Sequence, residues 1–391
     1  MSLPRMDAPV DAAARESRFP KWAAALADQA AFDQERARLG RFWTFLGFTQ
    51  DVPNNADWFT AELGGRSVFV QRFGERLKGF ENRCAHRFYP IRTEPRGNGK
   101  IKCGFHHWTY NQEGRVIHIP RCEQFFGMKV EEMNARIAPI EVATCGSLIF
   151  GRFQHPHNKE TLAQYLGAGA PILEALCRRD TEPRLITLDV AANWKLCFHI
   201  SLDDYHSPAV HPTTFGIGGY LPRDAIRYFR FGAHHAFFPG GEEDALQKMV
   251  AGVKDGTFRP TRYRIFQFFP NLLVALFRGQ HHVEGKDDTH WYINVQHMHG
   301  VAPGRTIFRS WFFRTHFDMS RGPFGRFWQA VSEPVRQAVI DRQLRQIHAE
   351  DNGVVERLQR FAVQQGGWPR LGYAEERIKW FEETYAQAMA D

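Results

Sequence analysis

The feature that most constrains this chain is a pair of short Cys/His loops. Cys84-Ala85-His86 is followed, after sixteen intervening residues, by Cys103-Gly104-Phe105-His106. Two thiolates and two imidazoles in C-x-H and C-x-x-H spacing fit a tetrahedral Zn(II) site. They equally fit a [2Fe–2S] cluster in which one iron takes the cysteines and the other the histidines, an arrangement that removes negative charge from one iron and raises the potential. Each half sits at a turn between β segments. From Trp58 to about Phe153 the chain runs in short alternating stretches such as Ser67 to Phe73, broken by Gly64-Gly65, Gly97-Asn98-Gly99 and Gly114, which is the texture of a small β domain. Cys122, Cys145, Cys177 and Cys197 lack histidines at ligand spacing and read as packing residues. Six scattered cysteines in 391 residues do not make a disulfide framework.

The rest of the chain sorts around this domain. Residues 1 to 50 read as a helical lead-in arm, with Trp22, Ala25, Leu26, Phe32, Leu39, Phe42 and Trp43 near helical spacing. The β domain takes 51 to 155. The remainder, 156 to 391, reads as an α+β unit: a helical stretch from Glu160 to Arg178 and a strand from Leu185 to Val190. Further strands at Tyr263–Phe269, Leu272–Phe277, Trp291–His297 and Thr306–Arg314 form an antiparallel sheet, and a helix runs from Phe324 to Val363. The fold class is therefore α+β, an N-terminal all-β domain followed by an antiparallel sheet flanked by helices. No apolar run approaches the roughly 18 to 20 residues that span a bilayer, and the N-terminus mixes Asp11, Arg15, Glu16 and Arg18 with alanines instead of an apolar leader, so the expected location is cytoplasmic. Lys and Arg are interspersed with Asp and Glu, with no dense basic run. A net charge of +7 therefore does not argue for nucleic acid.

A second constellation follows Asn193-Trp194-Lys195. The chain reads Leu196 to His206, with Asp203 and Asp204 ahead of His206 and with His211 five residues beyond it. Two histidines at i and i+5 reach one metal where a helix loosens, which Pro208 encourages, and one acid completes a 2-His-1-carboxylate face that leaves positions open for O₂ on Fe(II). Asp351 is the acid that suits, because the register Ile347, Asp351, Val354/Val355, Leu358 sets it on the apolar face. Glu350, one step round, is expected to face away. Asp203, three residues before His206, is placed to bond that ligand's second nitrogen and fix its tautomer.

Together these patterns resemble the Rieske non-heme iron oxygenases, in their terminal oxygenase (alpha) component. The resemblance runs from about Trp43 to Tyr385 and includes the N-W-K, D-x-Y-H-x4-H and late E-D patterns. Two departures stand in the first domain: His107 and Phe88 occupy positions where the family usually has Gly, and His107 competes with His106 for the ligand role, although the C-x-x-H spacing favours His106. A third stands at Phe198-His199, where many ring-dihydroxylating relatives have Glu-Asn. The resemblance implies a Rieske cluster on Cys84, His86, Cys103 and His106, a mononuclear Fe(II) on His206, His211 and Asp351, and O₂ as cosubstrate. It further implies that Asp203 links His206 to His106 of a neighbouring subunit in a head-to-tail homotrimer, with or without a small beta subunit.

With no Gly-x-Gly-x-x-Gly turn after a strand, electrons must come from a separate ferredoxin or NAD(P)H-dependent reductase. Eleven Lys/Arg against seven Asp/Glu over residues 81 to 152 suit an acidic donor. By position, His199, Ile200, Leu202, Asp204, Ser207, Phe215 and Ile347 are expected to face the substrate, an aromatic or similar small molecule. Three readings compete with ring hydroxylation: an O- or N-demethylase of the same family, a Rieske electron carrier without catalytic iron, and a zinc-binding module.

Overall fold

The structure, a computed structural model, describes residues 26–156, 159–178, 182–214, 219–278, 291–317, 322–365 and 370–390. Helix α1 (Gln29–Leu39) leads into β1 (Thr44–Phe48), β2 (Asp57–Leu63), β3 (Arg66–Phe73), β4 (Arg76–Glu81) and β5 (Arg96–Asn98). A small ribbon follows, made of β6 (Ile101–Lys102), β7 (Thr109–Tyr110) and β8 (Val116–His118); then come helix α2 (Cys122–Phe126), β9 (Pro139–Cys145) and β10 (Leu148–Arg152). The main sheet of this domain has the order β1-β10-β9-β4-β3-β2-β5, and β6-β7-β8 form a separate three-stranded sheet. Phe69, Phe80, Ile101, Trp108 and Tyr110 pack into one cluster with Cys84 and Cys103, so the loops carrying the thiols are seated on a hydrophobic base.

The second domain contains α3 (Leu162–Leu166), α4 (Gly169–Leu176), β11 (Arg184–Val190), α5 (Trp194–His199), α6 (Ser207–Val210), β12 (Tyr228–Phe231), β13 (His234–Phe237) and α7 (Ala245–Asp255). Strands β14 (Arg264–Phe268), β15 (Leu272–Arg278), β16 (Trp291–Ala302) and β17 (Arg305–Arg314) precede the long helix α8 (Gly322–Gln365) and the final helix α9 (Glu376–Ala390). The seven strands form one antiparallel sheet in the order β11-β17-β16-β15-β14-β13-β12. Alternation along each strand divides its residues between two cores. Phe266, Val274, Ile293, Val295 and Phe313 face a core shared with α4, α7 and the first domain's Trp43, Phe45, Phe48 and Phe150. Ile265, Leu273, Ala275, Met298 and Phe308 face the opposite core, with Trp194, Phe198, Val355 and Phe381.

Phe45 and Phe48 meet Trp311 at ring-centroid distances of 5.6 and 5.5 Å. Truncating a buried phenylalanine of this kind costs about 3–5 kcal/mol, so the two domains share a core and are not beads on a linker.

Two expectations need correction. Among the described residues, the helical reading of residues 1 to 50 holds over Gln29–Leu39: Phe42 and Trp43 fall in the exit from α1, and β1 begins at Thr44 as an edge strand of the first domain's sheet. Gly40 makes this possible, because a Cβ there would lie 2.8 Å from the Phe153 ring and 3.0 Å from the Cα of Gly64. Trp22 and Ala25 lie outside the described residues. The helical stretch expected from Glu160 to Arg178 is resolved into two short helices, broken where Gly167 takes a positive φ of 53°.

Candidate metal centres

The two Cys/His loops have the same backbone design. The Cys84 N–H donates to the Tyr89 carbonyl at 2.9 Å and the Cys84 carbonyl accepts from the Phe88 N–H at 3.0 Å; Cys103 does the same with Trp108 at 2.9 Å and His107 at 3.1 Å. This turn forces the fifth residue of each loop into the left-handed region, Phe88 at φ 62° and His107 at φ 60°, which glycine occupies at least cost. The two family departures are therefore located at the strained step of each turn. His107 is exposed, while the His106 ring lies 4.6 Å from that of His86, so the structure pairs His106 and not His107 with His86.

The donors fit an iron–sulfur group. Cys84 and Cys103 are both buried, and burial raises the Cys84 thiol, opposed by the Tyr110 hydroxyl and reinforced by the neighbouring Cys103. Two adjacent buried thiolates require a compensating cation. The Tyr110 hydroxyl accepts the Ala85 N–H at 3.1 Å and lies 3.0 Å from Cys84 Sγ, within reach to donate to a thiolate there, an interaction that tunes a cluster's potential. His86 is stacked on Trp108 at 4.8 Å with 4° between planes. Burial, His106 and Arg87 lower its pKa, which favours the neutral, ligating form.

In the second domain, Asn193, Trp194 and Lys195 form a brace for the metal-bearing segment. The Asn193 side chain accepts from the Lys195 N–H at 3.0 Å, capping α5, and donates to the Pro303 carbonyl at 2.7 Å. Trp194 Nε1, Lys195 Nζ and the Tyr385 hydroxyl all donate to the buried carboxylate of Glu35 on α1. The first helix thereby staples α5 to α9. Beyond α5 the chain makes a single turn, α6, and His206 and His211 flank it.

His206 Nε2, His211 Nε2 and Asp351 Oδ1 converge. The two Nε2 atoms are 3.3 Å apart, and Asp351 Oδ1 is 3.4 Å from the first and 3.0 Å from the second. Among the described residues this is the only group of three potential ligand side chains that meets within metal-binding range. Three donors at about 2.1 Å from one ion, at right angles, would be about 3 Å apart, so the spacing fits a facial triad. Asp351 Oδ1 is buried without an aligned hydrogen-bond donor. The remaining ring nitrogens both face carboxylates: His211 Nδ1 is 2.7 Å from Glu350 Oε2, and His206 Nδ1 is 3.5 Å from Asp203 Oδ2. Such partners hold the tautomer that leaves Nε2 free for a metal. Burial depresses the His206 pKa, but Asp203 and Asp351 outweigh it and push it up to about 10. Without a cation at the centre, a proton takes its place.

Glu350 therefore corrects the expectation that it faces away. Its side chain is held by Gln346 at 2.9 Å, one turn earlier on α8, and reaches His211 because that histidine closes a one-turn helix beside it. Asp203 Oδ1 accepts the N–H groups of Tyr205 at 2.7 Å and His206 at 3.2 Å, which fixes its carboxylate beside the His206 ring.

The chain matches the Rieske [2Fe-2S] domain over residues 42–139 and the ring hydroxylating alpha subunit catalytic domain over 181–391. It belongs to the Rieske oxygenase alpha subunits. It is 28% identical over 265 residues, 63% of this chain and 62% of the relative, to terephthalate 1,2-dioxygenase, terminal oxygenase component subunit alpha 2, of Comamonas sp. It is 27% identical over 191 residues, 47% of this chain and 50% of the relative, to the carnitine monooxygenase oxygenase subunit of Escherichia coli strain K12. These alignments thus span from half to just over three-fifths of the curated relatives' length. Among solved structures, naphthalene 1,2-dioxygenase from Rhodococcus sp. bound to indole superposes with a TM-score of 0.70 at 22% identity, covering 94% of this chain and 93% of that one. This likeness establishes the fold. As in the family, the cofactors are a Rieske [2Fe–2S] cluster and a mononuclear iron, with O₂ as cosubstrate. No helix among the described residues is long and apolar enough to cross a membrane.

For an oxygenase of this family the space beside the iron site matters most. A cavity of about 110 Å³ touches His206, His211 and Asp351 and is walled by Ile200, Ser207, Ile347 and Asp204, all four expected near substrate. Asp204, however, is bound by Arg377 Nη2 at 2.6 Å and the Tyr228 hydroxyl at 2.8 Å, so its work here is to anchor the loop to α9. Two expectations fail. His199 turns away to Glu382 at 2.9 Å, with its ring against Phe381, and Leu202 is fully buried in the core beneath α5. Both still lie in the helical turns after Trp194, where the inward face is the core and not the cavity. Phe215 lies outside the described residues. Sequence patterning does not single out Asn294, Gln296 and His348, which line the cavity. Gln296 Nε2 donates to Asn294 Oδ1 at 2.5 Å, and Asn294 Nδ2 and His348 Nε2 meet Ser310 Oγ at 2.7 and 3.1 Å. The one signal that points to the amides is their spacing, two of them at alternate positions in the otherwise apolar first half of a central strand.

Proposed function

We propose that the chain is the terminal oxygenase of a multicomponent system that hydroxylates a small organic molecule, aromatic or of similar size, at a mononuclear Fe(II) held by His206, His211 and Asp351, with electrons delivered through a cluster held by Cys84, His86, Cys103 and His106. The observation that carries this reading is the convergence of two imidazole Nε2 atoms and one carboxylate oxygen on the wall of a cavity, in a chain that also presents the paired Cys/His loops. Bound, the two iron groups supply electron transfer and O₂ activation. The chain's own residues do the remaining work. Asp203 and Glu350 hold the two imidazoles in register, Asn193, Trp194 and Lys195 keep α5 in place, and the apolar wall of Ile200, Ile265, Leu273, Ala275, Phe277 and Leu344 keeps water from the reacting carbon.

A Rieske electron carrier has no use for such a triad beside a cavity. We further assign Asp203 as the link between His206 and His106 of a neighbouring subunit in a head-to-tail homotrimer, which a closing heterologous interface generates. The electron donor is a ferredoxin or an NAD(P)H-dependent reductase that docks on the basic surface of the first domain. The test is incorporation of ¹⁸O from ¹⁸O₂ into organic product when the reconstituted protein is supplied with a reductase and a panel of aromatic acids, aromatic hydrocarbons and methylated amines. Labelled product in the wild type and none in His206→Ala is expected; reduction and reoxidation of the cluster with no labelled product from any of them would overturn the reading.

A further inference from the structure

Beside the cavity at the iron site, and not touching the triad, lies an outer chamber of about 320 Å³, with Tyr263, Phe277, Leu344 and Ile347 belonging to both walls. The two parts differ in charge. The inner wall carries the carboxylates of Asp203, Asp204 and Asp351, whereas the outer wall brings in Arg262 and Arg278 and, among the described residues, no carboxylate. The sheet brings the arginines to one wall: Arg262 lies two residues before β14, Arg278 closes β15, and β14 and β15 are neighbouring strands. Burial and then the charge of Arg262 lower the neighbouring Arg264 to about 10. Arg262 donates one N–H to the Gly240 carbonyl at 2.6 Å, which leaves most of its five donors for other partners. On the same wall, the Thr214 hydroxyl is buried and has no hydrogen-bond partner among the described residues.

Size sets the orientation. An apolar cavity of roughly 150 Å³ accommodates one benzene, so the inner cavity, at about 110 Å³, admits part of a single ring and excludes anything larger. We propose that the outer chamber is an anion subsite, and that the substrate is a single-ring molecule bearing a carboxylate, its ring directed toward His206, His211 and Asp351 and its carboxylate toward Arg262 and Thr214. The reverse orientation would set the carboxylate among the inner acids. A guanidinium fork suits a carboxylate by geometry as well as charge. The proposal rests on the oxygenase reading for where the ring goes, but the charge preference stands without it.

Isothermal titration of the metal-replete protein with benzoate and with its neutral isostere benzamide tests the subsite without turnover. Benzoate is expected to bind at least tenfold more tightly, and Arg262→Gln to abolish that preference with iron content unaltered, while Arg262→Lys retains part of it. Equal affinities, no benzoate binding, or a preference that survives in Arg262→Gln would overturn the proposal. The ¹⁸O experiment separates the two ideas: a benzoate preference without oxygen incorporation sinks the oxygenase reading alone, and labelled product without a preference sinks the anion subsite alone.

Discussion

The four Cys/His donors of the first domain fall within 23 residues, from Cys84 to His106, whereas the three donors of the second come from either side of α6 and, 140 residues after His211, from α8. The first site is shaped by backbone hydrogen bonds inside each loop and by a ribbon of very short strands; its geometry is local. The second exists only when α5, α6 and α8 are packed on one face of the seven-stranded sheet. What differs is the reach of the interactions that hold the donors, and substitutions should expose that difference.

The largest expected effect comes from the triad itself. His206→Ala or Asp351→Ala should remove the mononuclear iron and all hydroxylation while leaving the cluster's visible absorbance intact, because the four cluster donors are held by hydrogen bonds and packing inside the first domain; loss of both metals together would break the contrast. Next is Asp203→Ala. With both metals retained, reoxidation of the reduced cluster by O₂ and substrate should slow by at least about a hundredfold, at the upper end of what removing a ligand's hydrogen-bond partner does; stopped-flow absorbance would read it, and a wild-type rate would refute the role given to Asp203.

Glu350→Gln should weaken Fe(II) retention by about 10- to 100-fold, measured by competition with a chelator, where Asp351→Ala abolishes it. Because His206 in the metal-free site is pushed up to about 10, it is protonated at neutral pH and must lose that proton to bind a metal. Fe(II) affinity of the stripped protein should therefore rise with pH up to that value. An affinity independent of pH between about 6 and 9 would contradict the ion-pair picture of the empty triad. The smallest effect belongs to the first site. Phe88→Gly and His107→Gly should keep the cluster and stabilise the domain by up to about 1 kcal/mol, since a non-glycine residue in the left-handed region costs roughly 1–2 kcal/mol and glycine's extra entropy takes back part of the gain. A fall in melting temperature would mean that those side chains contribute contacts worth more than the strain.

The same contrast governs what the amino-acid sequence alone reveals. The first site is legible because its ligands and its turns share one short segment, down to the positions of Phe88 and His107. The triad is legible in part. Ile347 and Asp351 follow from the 3.6-residue period of an α-helix, but Glu350 reaches His211 only because α6 is a single turn that ends beside it, and no periodicity reports a distance between helices. His199 and Leu202 are assigned to the substrate by adjacency in sequence, which fails wherever successive side chains on a helical turn point to opposite sides. Asn294, Gln296 and His348 escape because a polar residue on a central strand acquires meaning only when the element across from it is known. Residues 44 to 48 mislead for a related reason: Thr44–Phe48 is a strand by virtue of its pairing with β10, a contact made about 100 residues downstream.

That one chain holds two different iron sites is tested most directly by iron, zinc and acid-labile sulfide per chain on anaerobically purified protein, with an electron paramagnetic resonance spectrum after dithionite reduction. About three irons to two sulfides, with the signal of a histidine-ligated [2Fe–2S] cluster, is the expected result; zinc in place of iron, with no sulfide, would contradict it.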